Sequence, residues 1–250
     1  MRNHAAIGVG AAAALSGLAR GQCVQQWDGD FGIPAGIPGA VYSMTTWDPD
    51  GAGPIPTRLI AAGAFGSAAG VAVNKIAMWN GVTWEPLADG IGTNSAVAVY
   101  VVTTWDRDGA GPLPPELIIG GHFTVGGNFI SRWDVATQSW QPLGTGLNND
   151  VSSITTWDPD GSGPIAPRLL VGGLFTTAGG VSANRIARWD GAAWQPLASG
   201  MNGAVFALTT LDPDGAGPLP PVLVAGGAFT TAGGTAISRL AKFDGLTWTG

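Results

Sequence analysis

The chain has 250 residues, of which 41 are Gly and 18 are Pro, so close to a quarter of it is turn-forming and a protein of long helices is excluded. Charged residues make up 11% and hydrophobic residues 45%, which excludes charge-driven disorder and leaves enough apolar material for one or two domains with a core. A net charge of −6, from 11 Lys and Arg against 17 Asp and Glu, argues against nucleic acid as a partner, because a phosphate-binding surface needs a clustered basic excess.

The N-terminus reads as a leader. Arg2 and His4 give a short polar start, an apolar run of small residues follows from Ala5 to Ala19, and Ala19-Arg20-Gly21 offers small residues before a cleavage point at Gln22. This is the pattern of a secretory signal peptide over 1–21, and it predicts an extracellular or cell-surface protein. Lipidation at Cys23 is disfavoured, because the residues before it lack the aliphatic and small positions that such processing uses. Cys23 is the single cysteine, so no internal disulfide is expected. After the leader there is no apolar run of the ~18 residues needed to span a bilayer as a helix.

The remainder, 22–250, is a repeat. Trp47, Trp105 and Trp157 each open a Trp-Asp-x-Asp-Gly segment and Leu211 opens a fourth, at intervals of 58, 52 and 54 residues. A period near 50 is that of a propeller blade or solenoid unit. In the third unit, Val151 to Trp157 is a short β-rich run and Asp158 to Pro167 is a Gly/Pro loop. Arg168 to Phe175 is apolar, Thr176 to Ala183 turns, Asn184 to Trp189 alternates, and Trp194 to Leu197 follows the Asp190-Gly191 turn. The pattern predicts four antiparallel strands, a to d, and no helix. The expected fold is all-β: a β-propeller of about four four-stranded blades at 40–94, 95–149, 150–202 and 203–250, preceded by an N-terminal strand at 22–39.

A blade cannot bury both faces alone, so the bulky residues should pack between neighbours. Trp47, Trp105, Trp157 and Leu211 end strand a; Trp79, Trp133, Trp189 and Phe243 end strand c; Trp27, Trp84, Trp140, Trp194 and Trp248 lie in strand d. All 11 Trp are therefore accounted for by the repeat, which competes with a sugar-stacking role for them. Phe65, Phe123, Phe175 and Phe229, at the end of strand b, are expected in the same core.

Gly120-Gly121 at the end of an apolar strand, then Arg132-Trp133-Asp134 and Trp140-Gln141-Pro142-Leu143, resembles the kelch repeat. Gly172-Gly173 with Trp189 and Trp194, and Gly226-Gly227 with Phe243 and Trp248, repeat the pattern, and the first unit departs from it with Ala62-Gly63. Gly226 to Gly234 and Arg185 to Gly191 also resemble the secreted delta-sixty-like and cortical-marker propeller repeats. The resemblance covers 24–250 and implies a propeller, a fold that hosts many unrelated activities. Galactose oxidase, a kelch-propeller enzyme, needs copper held by tyrosine, histidine and a cysteine-modified tyrosine. This chain offers only Tyr42, Tyr100 and, past the leader, His122, while Cys23 precedes the repeats. His122 takes the repeat position of Ala64, Leu174 and Ala228 and is expected to pack there; with one His no Ser-His-Asp or Cys-His set is available.

The acidic residues carry the remaining chemistry. In an up-and-down blade the a–b and c–d turns emerge on one side. That side should hold Asp48, Asp50, Asp106, Asp108, Asp158, Asp160, Asp212 and Asp214 in the a–b loops, with Asp134, Asp190 and Asp244 in the c–d turns, eleven of the 17 acidic residues. Asp-x-Asp-Gly resembles the start of a calcium loop, but each loop lacks a third acidic side chain and a closing Glu. Turn formation is the preferred reading of the eight loop aspartates and weak calcium binding the alternative; no other cofactor is expected. Arg58, Arg107, Arg168, Arg132, Arg188 and Lys242 are placed to neutralise them.

Val24 to Trp27 aligns with a strand d that has no blade of its own, which gives five d strands for four a-to-c sets. This surplus predicts either a four-bladed ring in which the N-terminal and short C-terminal strands compete, or, the preferred expectation, a part of a larger ring completed by further blades or a second chain. Two functions follow: a secreted, non-catalytic scaffold that binds a protein or polysaccharide through its loops, or a carbohydrate-active or metal-assisted enzyme that uses loop aspartates. The near-identity of the a–b loops favours the scaffold, since an active site needs one unit to break the pattern. The most distinctive stretches are Thr124 to Phe129, which is shortened, and Asp28 to Ile37.

Overall fold

The computed structural model describes residues 36–51, 53–109, 111–161, 163, 165–215 and 219–250. The leader at 1–21, Cys23 and the strand expected around Trp27 lie outside the described residues. Among the described residues no helix is long and apolar enough to cross a membrane.

The chain is all-β, and its four repeats form four four-stranded antiparallel sheets in the strand order a-b-c-d. The first blade is Gly39–Trp47, Arg58–Phe65, Ile76–Trp79 and Trp84–Pro86; the second is Ala98–Trp105, Glu116–His122, Ile130–Asp134 and Ser139–Pro142. The third is Val151–Trp157, Arg168–Gly173, Ile186–Trp189 and Trp194–Pro196; the fourth is Val205–Leu211, Val222–Gly227, Leu240–Phe243 and Trp248–Thr249. Strand a of each blade packs on strand a of the next, so the a strands form the inner edge of the array. In three blades the segment between b and c folds into its own two-stranded hairpin, at Ser67–Ala68 with Val71–Ala72, Thr177–Ala178 with Val181–Ser182, and Thr231–Ala232 with Thr235–Ala236. Those short strands, divided by small residues and glycines, read as plain turns in sequence. The second blade, whose segment is shortened, has no such hairpin among its described strands.

The hydrophobic clusters lie between blades, as stacking requires. Trp47, Ile60 and Ala62 of the first blade pack with Val99, Val102, Phe123 and Trp133 of the second. Equivalent clusters join the second blade to the third around Trp105 and Phe175, and the third to the fourth around Trp157 and Phe229. The four strand-b phenylalanines are all buried. Each internal junction also carries a long-range hydrogen bond from the buried indole that ends strand a, and the second junction has another, from Trp194 Nε1 to the Leu143 carbonyl at 2.8 Å. Trp47 Nε1 donates to the Pro115 carbonyl at 2.9 Å, Trp105 to Pro167 at 3.0 Å and Trp157 to Pro221 at 2.8 Å. Leu211, at the same repeat position in the last blade, has no N–H to give and is 54% exposed, against 2–3% for the three tryptophans.

Every strand a is bulged. The pairing with strand b skips a residue between Val41 and Ser43, Val99 and Val101, Val151 and Ser153, and Val205 and Ala207. The extra residues are Tyr42, Tyr100, Ser152 and Phe206, re-aimed by the bulge off the regular alternation. The bulge also explains the glycine pair. A Cβ on the second glycine, Gly63, Gly121, Gly173 or Gly227, would lie 2.0–2.3 Å from a carbonyl oxygen at the start of the bulged strand. The first position instead faces the next blade: a Cβ on Gly120 or Gly172 would meet Val151 or Val205 at 2.5 and 2.6 Å. Ala62 is accommodated there in the first blade at 0% exposure, so the need for a first glycine varies with the neighbouring blade while the second is needed in all four.

Candidate functional site

The two ends of the blades differ in what they spend on themselves. At the loop end, Asp50 N–H donates to Asp48 Oδ1 at 3.3 Å, and Asp50 Oδ2 accepts from Ile55 N–H at 3.0 Å. The same two bonds recur at Asp106 and Asp108 with Leu113, at Asp158 and Asp160 with Ile165, and at Asp212 and Asp214 with Leu219. In the first three loops a Cβ on Gly53, Gly111 or Gly163 would lie 2.0 Å from that loop's own aspartate Oδ2 and displace the carboxylate from its backbone bond. Turn formation therefore uses both aspartates of every loop. In each of the first three loops one carboxylate oxygen, Asp50, Asp108 or Asp160 Oδ1, is buried without a hydrogen-bond partner. Burial, then the adjoining Asp108 carboxyl, lifts Asp106 above the ordinary value of 3.8, and burial with Asp160 does the same for Asp158. These oxygens are what a cation would have to use. Among the described residues no three His, Cys, Asp or Glu side chains form a metal-holding group.

The arginines serve the c–d aspartates and strand b rather than the a–b loops. Arg107 and Arg132 both pair with Glu116, at 3.5 and 3.3 Å, and Arg132 reaches Asp134 at 4.0 Å. Arg58 donates to the Asn80 carbonyl, and Arg188 to Gln195 Oε1 at 2.6 Å. Among the described residues none of the eight loop aspartates has an ion pair. The c–d aspartates act as turn caps. Asp134 is held below the usual carboxylate range by the backbone N–H of Thr137, Asp190 by those of Ala193 and Ala192, and Asp244 by those of Thr247 and Leu246. Between the first two blades, Trp47, Arg107, Pro115, Glu116, Arg132 and Asp134 line a cleft of about 140 Å³, below the ~300 Å³ at which small-molecule pockets begin. Its two tryptophan-ring walls, Trp47 and Trp133, are 3% and 4% exposed, so they offer edges rather than a stacking face.

At the opposite end the second blade breaks the repeat. His122 does not pack into the core as its alignment with Ala64, Leu174 and Ala228 suggested. Its side chain is 48% exposed, and its Nδ1 lies 2.6 Å from Asp150 Oδ1, on the segment that enters the third blade. The His122 ring stands edge-on to Phe129 at 5.9 Å between centroids, and Tyr100 stands edge-on to Tyr42 at 5.8 Å. Burial, then Asp150, then Tyr42 raise the Tyr100 phenol above its ordinary value of 10.0, so Asp150 and Tyr42 both act on it. In sequence Tyr42, Tyr100 and His122 entered only as too few groups for a copper site, and Asp150 carried no motif. The available signal was that the chain's two tyrosines occupy one repeat position, the bulge of strand a, in adjacent blades.

No family model and no curated protein matches the chain. The site is therefore read from its own chemistry: an imidazole held by a carboxylate, two phenols, and exposed ring surface on a rigid strand edge.

Proposed function

We propose that this protein is a secreted β-propeller repeat scaffold that binds a protein or glycan partner and does not turn it over. The observation that carries this reading is the allocation of its chemical groups. The described tryptophans and loop aspartates go into blade junctions and turns, while the repeat-breaking cluster keeps Tyr42 and His122 exposed beside the half-buried Tyr100 and Asp150. Exposed aromatic and hydrogen-bonding side chains on a rigid scaffold are what a recognition surface needs. Secretion is supported by the leader pattern at 1–21. The test is capture from culture fluid and from extracted polysaccharide by the full chain, beside the double variant Tyr42→Ala, His122→Ala. A partner retained by the first and lost by the second is expected; none retained by either removes the reading.

A second reading has one observation in its favour. Asp106 and Asp158, each raised in pKa beside a second carboxyl, have the form of an acid–base pair for glycoside hydrolysis. Hydrolysis of a polysaccharide that is abolished by Asp106→Asn or Asp158→Asn would establish it in place of the scaffold.

A further inference from the structure

The end of the fold opposite the aspartate loops has one place where the second blade departs from the other three in several independent ways. It has none of the b–c hairpin that the others carry. Its b–c segment ends at Phe129, with φ of 65°, where the other blades place Lys75, Arg185 and Arg239 at φ of 79°, 65° and 70°. The backbone shape is therefore kept while a cation is exchanged for an aromatic ring. Strand b ends in the one histidine beyond the leader, and that histidine is fixed by Asp150 from the next segment. Across the bulge lie the chain's two tyrosines, in edge contact.

We propose that Tyr42, Tyr100, His122 and Asp150 form a binding site for a neutral saccharide. The inference rests on the reading of the protein as a binding scaffold and names what the scaffold holds. A sugar ring has a C–H face that covers an aromatic surface and a rim of hydroxyls that need both donors and acceptors. Tyr42, 53% exposed, supplies the surface. Asp150 Oδ1 at 2.6 Å from Nδ1 puts a proton on that nitrogen, so His122 turns Nε2 outward as an acceptor for a hydroxyl when neutral and as a donor when charged. The second oxygen of Asp150 takes no hydrogen bond among the described residues and is a further acceptor. Tyr100 keeps its O–H as a donor, since burial and Asp150 both oppose its ionisation. Charge selects the class. A carboxylate at the site, on a chain of net charge −6, repels uronic acids, sulfated sugars and phosphate. A cationic ligand meets a carboxylate already engaged by the imidazole. The groups that remain suit hydroxyls.

The test is calorimetric titration of the full chain with cellohexaose, xylohexaose, maltohexaose and chitohexaose as neutral probes, with trigalacturonate as an acidic probe and trilysine as a cationic one. Binding of at least one neutral probe is expected, weakened about tenfold or more by Tyr42→Ala and by His122→Ala, since a buried stacking or hydrogen-bonding contact carries that much. Val82→Ala, in an exposed c–d turn at the other end of the blades, should bind as the parent does. Both site residues are exposed, so the variants should melt with the parent, and Tyr42→Phe should retain most of the binding that the alanine variant loses. The proposal is overturned if no neutral probe binds at millimolar concentration, if the alanine variants bind unchanged, or if trigalacturonate or trilysine binds in place of the neutral sugars. A protein partner captured equally by parent and double variant would remove the saccharide site and leave the scaffold standing. Failure of every probe together with failure of capture would remove both.

Discussion

The indole N–H of Trp105 donates at 3.0 Å to the carbonyl of Pro167, 62 residues further along the chain and in the next blade. Trp47 and Trp157 make the same bond to Pro115 and Pro221, so one side chain per junction ties the end of strand a to the residue that opens strand b of the neighbour. Trp105→Phe keeps the ring and removes the donor, leaving a partly buried carbonyl without its partner. A loss of about 1–3 kcal/mol is expected, read as a fall of ~2–4 °C in Tm per kcal/mol for a chain of this length.

The same repeat position should behave differently where the next blade's proline is not packed on it. Trp157 is 2% exposed and Leu211 is 54% exposed. Trp157→Leu should cost about 2–4 kcal/mol through the cavity and the lost Pro221 bond, whereas Leu211→Ala should stay within about 0.5 kcal/mol. Denaturant melts of the two variants decide it; equal losses would mean that the repeat position, not the junction, sets the energy.

The glycine pairs give a parallel contrast. Gly173→Ala forces a Cβ to 2.0 Å from the Asp150 carbonyl, and Gly172→Ala to 2.6 Å from Val205, while a Cβ on Gly226 has nothing nearer than 3.9 Å. Overpacking of the first two is expected to cost about 1–3 kcal/mol or more. Gly226→Ala is expected to be neutral or mildly stabilising, because alanine stiffens the unfolded chain. Thermal melts of the three single variants test this.

Acid should act in two directions. Asp134, Asp190 and Asp244 have folded-state values below the ordinary 3.8, so the stability they give is present above 3.8 and is lost as pH falls through their depressed values. Asp106 and Asp158 are raised, so their ionisation penalises the fold above their raised values and is relieved as pH falls towards 3.8. Tm is expected to rise as the solution is made mildly acidic and to drop below 3.8. In Asp106→Asn, Asp158→Asn the rise should vanish and the drop remain.

Calcium tests the buried Oδ1 atoms of Asp50, Asp108 and Asp160. With both aspartates of each loop already bonded to backbone N–H groups, millimolar calcium is expected to raise Tm by less than the ~2–4 °C that 1 kcal/mol produces. A larger rise that Asp108→Asn abolishes would make the loops calcium sites.

How much of this was legible depended on whether a contact was repeated. The Trp-Asp-x-Asp-Gly intervals placed all four sets of strands, since a side chain that recurs with the period must do the same structural job in each unit. The Thr177–Ser182 hairpin was not legible, because its strands are two residues long and carry no alternation. His122 was misread for the opposite reason: the repeat assigned it a packing role from Ala64, Leu174 and Ala228, and its partner Asp150 is 28 residues away in a segment with no motif. A repeat makes the common positions easy to read and hides the singular ones.

The strand-a bulge separates two tasks that other strand positions must combine. Residues 42, 100, 152 and 206 are excused from the regular pairing of their strands, and they already vary from Tyr to Ser to Phe with the blade register unchanged. That row can be rewritten one residue at a time while the junction tryptophans and second glycines hold the architecture constant, so new binding preferences can arise in this molecule with little cost to its folding.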